Sequence, residues 1–170
     1  SILEIFKDYS SDLIKKIFVN GSAGTGKTIL AIYLIKLLST LSQYELHDLD
    51  IEDEALLFEL NAFKKNNPEK LIIGLVVPMT SLRNTLKQVF KSVHGLSSNM
   101  VIGPTDVVKK KYDFLIVDEA HRLTRRKSIM GYGAFDNVNK RLGLYHSEKI
   151  DGKDLQSAEK NGNQLDWIIN

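Results

Sequence analysis

Cysteine is absent from this chain of 170 residues. Without cysteine the protein has neither disulfide bonds nor thiolate metal sites. An excess of charge of one sign is also lacking, because 23 Lys and Arg residues nearly balance 21 Asp and Glu residues. The resulting net charge of +2 is too small to indicate nucleic-acid binding by itself.

Long hydrophobic runs are missing as well. No uninterrupted apolar run approaches the ~18 residues that a membrane-spanning helix needs. The first residues, SILEIFKDYSSDL, carry charges throughout and lack the apolar segment of a signal peptide. We therefore expect a cytoplasmic protein that does not engage a membrane.

The composition that remains is that of an ordinary globular protein, with 43% hydrophobic and 26% charged residues. The length predicts one domain over residues 1–170, large enough to bury a core. Apolar strand patterns alternate with helical ones, which predicts an α/β fold with a mostly parallel sheet. An acidic stretch at 45–59 is interpreted as a solvated surface excursion.

The predicted strands cover 17–19, 70–78, 99–104 and 112–121. Predicted helices cover 29–38 and 52–66, with further helical stretches inside 132–145 and 157–169. Helical spacing predicts that the 52–66 helix buries Ala55, Leu56, Phe58, Leu60 and Phe63. Another helix, opened by Thr80 or Ser81 as N-cap, is predicted to bury Leu82, Leu86, Val89, Phe90 and Val93.

The stretch VNGSAGTGKTIL at 19–30 carries the strongest chemical signal, because residues 21–28 match G-x-x-x-x-G-K-[ST]. A strand before and a helix after the match would give it the context in which backbone N–H groups and a helix N-terminus hold phosphate. Lys27 would reach the β- and γ-phosphates, and Thr28 would bind Mg²⁺. The alternative is a glycine-rich turn that happens to precede a helix. The expected nucleotide-binding residues are Gly21, Ser22, Ala23, Gly24, Thr25, Gly26, Lys27, Thr28 and Ile29.

A second signal lies in YDFLIVDEAH at 112–121, where an apolar strand ends in two carboxylates. Asp118 would share the Mg²⁺ with Thr28, since ligands of open α/β sheets sit at the carboxyl ends of strands. Glu119 would polarise the attacking water as general base, so that Lys27 and Glu119 are the predicted catalytic residues. Alone, the acidic pair could simply open a helix. His121 either couples the γ-phosphate to a neighbouring element or serves as a capping or buried histidine.

Together, GSAGTGKT at 21–28 and VDEAHR at 117–122 resemble the nucleotide motifs of a superfamily 1-type helicase or ATPase motor domain. The phrases VVPMTSLRNTLKQVF, VIGPTDVV and QLDWII extend the likeness. They are similar to bacterial and phage-associated P-loop proteins that are labelled DNA/RNA helicases or ATPases and are related to the Schlafen helicase-like group. This resemblance covers about residues 15–170. It implies a three-layer RecA-like P-loop NTPase fold that uses ATP and Mg²⁺, with DNA or RNA as partner of the full-length protein.

By this resemblance, the segment with Pro78, Thr80, Ser81 and Arg83 would approach a nucleic-acid backbone; helix capping and a surface arginine are the plainer interpretation. A basic cluster follows the second motif and would either face phosphates or remain a solvated surface. The lysines at 109–111 are interpreted as surface residues and Trp167 as a core residue. The cluster consists of Arg122, Arg125, Arg126 and Lys127.

The chain departs from the resembled pattern after the second motif. By this resemblance, we expect that the chain ends before the glutamine that senses the γ-phosphate in such motors, before a strand that inserts between the acidic-motif strand and the P-loop strand, and before a second RecA-like domain. We therefore expect a truncated module with weak hydrolysis, which tends to self-associate at an exposed sheet edge or to misorder residues 122–150. Two other interpretations stay open, a nucleotide-dependent switch and an AAA+-like ATPase without unwinding activity. The wording DEAHR and the segment at 76–86 argue against the AAA+ type.

Overall fold

The computed structural model describes residues 16–22, 24–41, 54–66, 70–125, 132–146, 148–150, 153–155 and 161–169. The helices are α1 (Lys27–Leu41), α2 (Glu54–Asn66), α3 (Thr80–Ser92), α4 (Gly133–Arg141) and α5 (Gln164–Ile169). The strands are β1 (Ile73–Val76), β2 (Val101–Ile102), β3 (Phe114–Val117), β4 (Glu148–Ile150) and β5 (Lys153–Leu155). Short 3₁₀ turns cover Ser98–Met100, Pro104–Lys109 and Ala120–Arg122.

A parallel three-stranded sheet with the order β2-β1-β3 forms the centre of the fold. Strand β1 pairs with β3 from Ile73 opposite Phe114 to Val76 opposite Val117. All four residues of β1 are buried, as expected for a central strand with both faces covered. This architecture is α/β with a parallel sheet, as predicted, and is compatible with a RecA-like fold. Strands β4 and β5 pair antiparallel in a separate hairpin.

Side chains of β1 enter two hydrophobic clusters because successive residues of a strand point to opposite faces. Ile73 and Leu75 lie in a cluster with buried residues of α1, α2 and α3. Val76 lies in a second cluster that contains Phe135 of α4 and Trp167 of α5. Apolar side chains thus cover the sheet on both faces. No helix within the described ranges is both long and apolar enough to cross a membrane.

The predicted strand at 17–19 is wrong. Residues 16–20 have no regular structure, and Phe18 is 80% exposed. Strand β3 is an edge strand of the three-stranded sheet among the described residues, but the run 17–19 does not pair with it. Without that pairing the run gains no backbone hydrogen bonds of a sheet, and its side chains stay exposed. The helix predicted after the loop is present, but Ile29 and Tyr33 on its first turns are exposed, while its last turns are buried.

The remaining predicted elements are confirmed with shorter bounds, and several predicted details are wrong. In α2, Leu60 and Phe63 are buried, whereas Ala55 and Phe58 are exposed. Position 58 lies two residues from position 60, about 200° around the helix, and so cannot share its face. Likewise Val89 of α3 is exposed, one residue before the buried Phe90.

Met79 is the N-cap of α3, not Thr80 or Ser81, and no side chain caps this helix. Thr80 is already the first helical residue, and its hydroxyl accepts a hydrogen bond from Arg83 at 3.1 Å. Most of the acidic stretch 45–59 lies outside the described residues.

We predict that Phe90→Ala destabilises the protein by about 3–5 kcal/mol, because Phe90 is 0% exposed in the core between α3 and the sheet. Urea unfolding measures this loss. The matched control is Phe58→Ala, since Phe58 is 72% exposed and its removal should change the unfolding free energy by no more than ~0.5 kcal/mol. Equal losses in the two variants would contradict the core assignment.

Candidate functional site

The glycine-rich loop enters α1 through two residues in the left-handed conformation. Gly24 has φ of 79° and Gly26 has φ of 83°, which non-glycine residues rarely adopt. Among the described residues, adjoining ones apart, no atom lies within 4 Å of a Cβ built at either position, so the requirement for glycine is conformational rather than steric. The helix begins directly after them at Lys27, which places its unpaired first-turn N–H groups at the loop.

Lys27 is held by the loop that precedes it. Its Nζ donates to the carbonyl of Gly21 at 2.8 Å and to that of Ser22 at 2.7 Å. The Ser22 carbonyl also accepts from the Thr25 hydroxyl at 2.9 Å. A Cβ at Gly21 would lie 2.7 Å from this hydroxyl oxygen, so Gly21 permits the close packing. The loop and its lysine form one hydrogen-bonded unit.

Thr28 and Asp118 are in direct contact although 90 residues separate them in the chain. The Thr28 hydroxyl donates to Asp118 Oδ2 at 2.8 Å. Asp118 follows β3 immediately and is 5% exposed. Its backbone N–H continues the sheet by donating to the Val76 carbonyl at 3.1 Å. The two predicted magnesium ligands therefore lie next to each other, where β3 ends and α1 begins.

Glu119 adopts a left-handed conformation with φ of 53° and ψ of 45°. Among the described residues it is the one non-glycine residue with positive φ. The 3₁₀ turn that follows returns two basic side chains to it: Glu119 Oε2 lies 3.3 Å from His121 Nε2 and 3.4 Å from Arg122 Nε. The contact between Glu119 and Arg122 was not predicted from the sequence, although a spacing of three residues in a tight turn indicates it.

Arg83 is bound to the backbone at the carboxyl end of β1. Its Nη1 donates to the Val77 carbonyl at 2.7 Å. A Cβ at Gly103, just after β2, would approach Nη1 to 3.1 Å, so the guanidinium packs closely on that glycine. Arg83 therefore links the ends of β1 and β2, a role that the expectation of a surface arginine or a nucleic-acid contact did not include. Of the neighbouring predicted contacts, Thr80 and Ser81 are exposed and Pro78 is half-buried.

Asp106 lies beside Arg83 and accepts a hydrogen bond from the Gly103 N–H at 2.8 Å. Burial alone would raise the pKa of this carboxyl, but hydrogen bonds from Lys109 and Gly103 and the charges of Lys109 and Arg83 lower it below its usual value. The hydrogen bond with Asp106, together with the charge of that carboxylate, raises the pKa of Lys109. Lys110 lies 4.9 Å above the Tyr112 ring, and all three lysines at 109–111 are exposed, as predicted.

Trp167 is a core residue, as predicted. Its ring centroid lies 4.3 Å from that of Phe135, and its Nε1 donates to Asn139 Oδ1 at 2.6 Å.

Of the basic cluster after the acidic motif, Arg122 and Arg125 are exposed. Ala23 of the predicted nucleotide-binding loop and Arg126 and Lys127 of the basic cluster lie outside the described residues.

Within the described ranges, no three His, Asp or Glu side chains come together in a way that could hold a metal ion. Thr28 and Asp118 together offer only two side-chain ligands, both oxygen atoms. Such a pair would suit only a cation that keeps most of its water or shares phosphate oxygens, which is how Mg²⁺ binds in phosphoryl-transfer sites.

Comparison with protein families places residues 15–169 on the model described as Schlafen group 3, DNA/RNA helicase domain. The match spans the glycine-rich motif, the acidic motif and all of the helices and strands described above. Searches of curated proteins and of solved structures gave no match.

We predict that the Asp106 network stabilises the protein at neutral pH and loses this effect in acid. A carboxyl whose pKa is lower in the folded than in the unfolded state contributes stability above its unfolded pKa, and the contribution disappears as pH falls through the folded value. Urea midpoints of the wild type and Asp106→Asn should therefore differ more at pH 6 than at pH 3. Lys109→Met, which removes the largest lowering contact, should show part of the same pH dependence. A difference that stays constant with pH would contradict the assignment.

Proposed function

Because the chain belongs to the family of Schlafen group 3 DNA/RNA helicase domains, we propose that it binds ATP with Mg²⁺ at residues 21–29 and hydrolyses it. In this proposal the chain is the nucleotide module of a helicase-like motor with a three-layer RecA-like P-loop fold. The observation that carries the proposal is the hydrogen bond of 2.8 Å between Thr28 and Asp118. This bond brings the glycine-rich motif and the acidic motif together, as binding of phosphate and Mg²⁺ at one site requires.

The loop supports the phosphate-binding part of the proposal. Gly24 and Gly26 leave the space around their Cα atoms open, so that backbone N–H groups can approach a polyanion closely. The N-terminus of α1 adds a partial positive charge next to them. Lys27 now donates to two loop carbonyls. It would exchange these for β- and γ-phosphate oxygens, which are stronger acceptors because they are charged.

Thr28 and Asp118 fit Mg²⁺ by their chemistry, since both offer hard oxygen atoms and Mg²⁺ needs only one or two protein ligands besides phosphate and water. When bound, the ion neutralises charge that develops on the β- and γ-phosphates. Asp118 is buried at the end of β3, which fixes its carboxylate relative to α1. The Thr28 hydroxyl could offer an oxygen lone pair to the ion while its proton is still donated to Asp118.

Glu119 follows Asp118 and is proposed to orient the attacking water and accept its proton. Its left-handed backbone turns the chain sharply after β3. A conformation that costs about 1–3 kcal/mol in a non-glycine residue persists where the surroundings fix it, and such residues are concentrated at functional sites.

DNA or RNA is proposed to lie along the carboxyl edge of the sheet. The carboxyl ends of parallel strands share one edge, so Thr80 and Ser81 after β1 and Arg122 and Arg125 after β3 belong to the same side. All four side chains are exposed. Arg83, in contrast, is engaged with Val77 and is assigned a structural role in holding this edge.

A nucleotide-dependent switch is the second candidate. It is favoured by one observation: the carboxylate proposed as base and the lysine proposed as phosphate ligand are both engaged within their own segments. A switch would bind nucleotide, rearrange these contacts and turn over slowly irrespective of Glu119.

We predict that Lys27→Ala lowers the affinity for ATP–Mg²⁺ on the order of 100-fold, because hydrogen bonds to charged groups contribute about 1.5–3 kcal/mol each. Isothermal titration calorimetry measures the change. Lys91→Ala is the matched control, since Lys91 is an exposed lysine at the distant end of α3 and should bind ATP like the wild type. Unchanged affinity in Lys27→Ala would overturn the nucleotide site.

We predict that Glu119→Gln keeps its affinity for ATP but lowers the turnover number by ~10²–10⁴-fold, since glutamine retains the shape and loses the basic oxygen. Phosphate release in the presence and absence of single-stranded DNA or RNA measures turnover, and calorimetry measures binding. Equal losses of binding and turnover would make Glu119 structural. Binding with a turnover that Glu119→Gln leaves unchanged would favour the switch.

A further inference from the structure

The carboxylate of Glu119 faces the turn that follows it. Residues Ala120–Arg122 form a single 3₁₀ turn, closed by the Arg122 N–H donating to the Glu119 carbonyl at 2.8 Å. This turn places the Arg122 guanidinium 3.4 Å from Glu119 Oε2, with His121 Nε2 at 3.3 Å from the same oxygen. The oxygen that would accept a proton in hydrolysis is therefore engaged with the side chains of its own turn.

The backbone holds this arrangement under strain. Glu119 is in the left-handed region, and its N–H donates to Asp118 Oδ1 at 3.1 Å. A strained residue between a fixed strand end and a short turn has two ways to change, by rotating its side chain or by relaxing its backbone. Either movement would alter where the carboxylate points while Asp118, held by the sheet and by Thr28, stays in place.

The cations that engage Glu119 are accessible from outside. The Arg122 side chain is 49% exposed and that of His121 is more exposed still. A partly exposed ion pair is weak, so an external anion can compete for the arginine. Phosphate diesters are suited to this competition, because the planar guanidinium binds phosphate oxygens in a bidentate manner.

We propose that Arg122 is a positioning residue that holds Glu119 in an unproductive orientation until a phosphate of a bound nucleic-acid strand takes the guanidinium. The release frees Oε2 to face the water that attacks the γ-phosphate. This inference rests on the proposed function, because it assumes that Glu119 is the base. It adds a physical connection between nucleic-acid binding and ATP hydrolysis within one turn of the chain.

The kinetic test compares the wild type with Arg122→Gln, using ATP hydrolysis with and without oligothymidylate. Loss of the holding contact should raise the turnover number without nucleic acid by about two- to fivefold, the range expected for a partly exposed ion pair, and leave KM for ATP unchanged. Stimulation by oligothymidylate should fall by a similar factor. Arg122→Lys keeps the charge without the planar group and should lie between the two.

Arg141→Gln is the matched control. Arg141 is an exposed arginine in the last turn of α4 and has no part in the proposed site, so this variant should leave both unstimulated turnover and stimulation by oligothymidylate as in the wild type. If Arg122→Gln lowers unstimulated turnover, or leaves both unstimulated and stimulated turnover as in the wild type, the proposal is overturned.

A second measurement does not depend on turnover. In protein labelled with ¹³C at glutamate carboxyl carbons, the Glu119 resonance is identified by its absence in Glu119→Gln. Oligothymidylate should shift this resonance in the wild type toward its position in Arg122→Gln, and should not shift it in that variant. A resonance that Arg122→Gln or oligothymidylate leaves unmoved in folded protein overturns the proposal.

The two measurements separate this inference from the proposed function. A wild type whose turnover is zero, or independent of Lys27 and Glu119, contradicts the proposed function. Turnover that depends on both residues, combined with an unmoved Glu119 resonance, contradicts only the role of Arg122.

Discussion

The parallel pairing of β1 with β3 determines where the residues of the candidate site lie. Its register, Val76 opposite Val117, continues for one more hydrogen bond, from the Asp118 N–H to the Val76 carbonyl. The position of Asp118 is therefore fixed by its hydrogen bond to the sheet. Because α1 packs on the same cluster as β1, Thr28 on the first turn of α1 meets Asp118 there. A shift of the register by one residue would turn Asp118 to the other face and break this contact.

The carboxyl edge of the sheet contains cations of two kinds. Arg83 and Lys109 bind to the backbone and to Asp106, and so hold the ends of β1 and β2 in place. Arg122 and Arg125 remain exposed and are the ones we assign to phosphate. Some cations at this edge are therefore structural, and others are exposed and can bind a ligand. The net charge of +2 does not distinguish the two kinds.

Lys27 and Glu119 are each engaged by neighbours in sequence, the lysine by the carbonyls of Gly21 and Ser22 and the glutamate by His121 and Arg122. Both sets of contacts are local and lie at exposed or half-buried positions. Local contacts of this kind are weak enough for a charged ligand to replace them. The proposed site combines a rigid pair, Thr28 and Asp118, with two side chains that must exchange partners before catalysis.

The α/β class, the parallel sheet and the positions of the two motifs could be predicted from the sequence, since strand and helix periodicity and the spacing of glycine, lysine and threonine are local properties. The helices α2 and α3 could be predicted as well, but Phe58 and Val89 were wrongly placed in the core, because only packing selects which side of an apolar helix is covered. Three features became visible only in the folded chain: 17–19 lies outside the sheet, Arg83 binds the Val77 carbonyl, and Thr28 donates to Asp118. The first and the last depend on residues far away in the chain, and the Arg83 contact depends on how the chain turns between β1 and α3. In each case a hydrogen bond forms only when its partner has been brought into place.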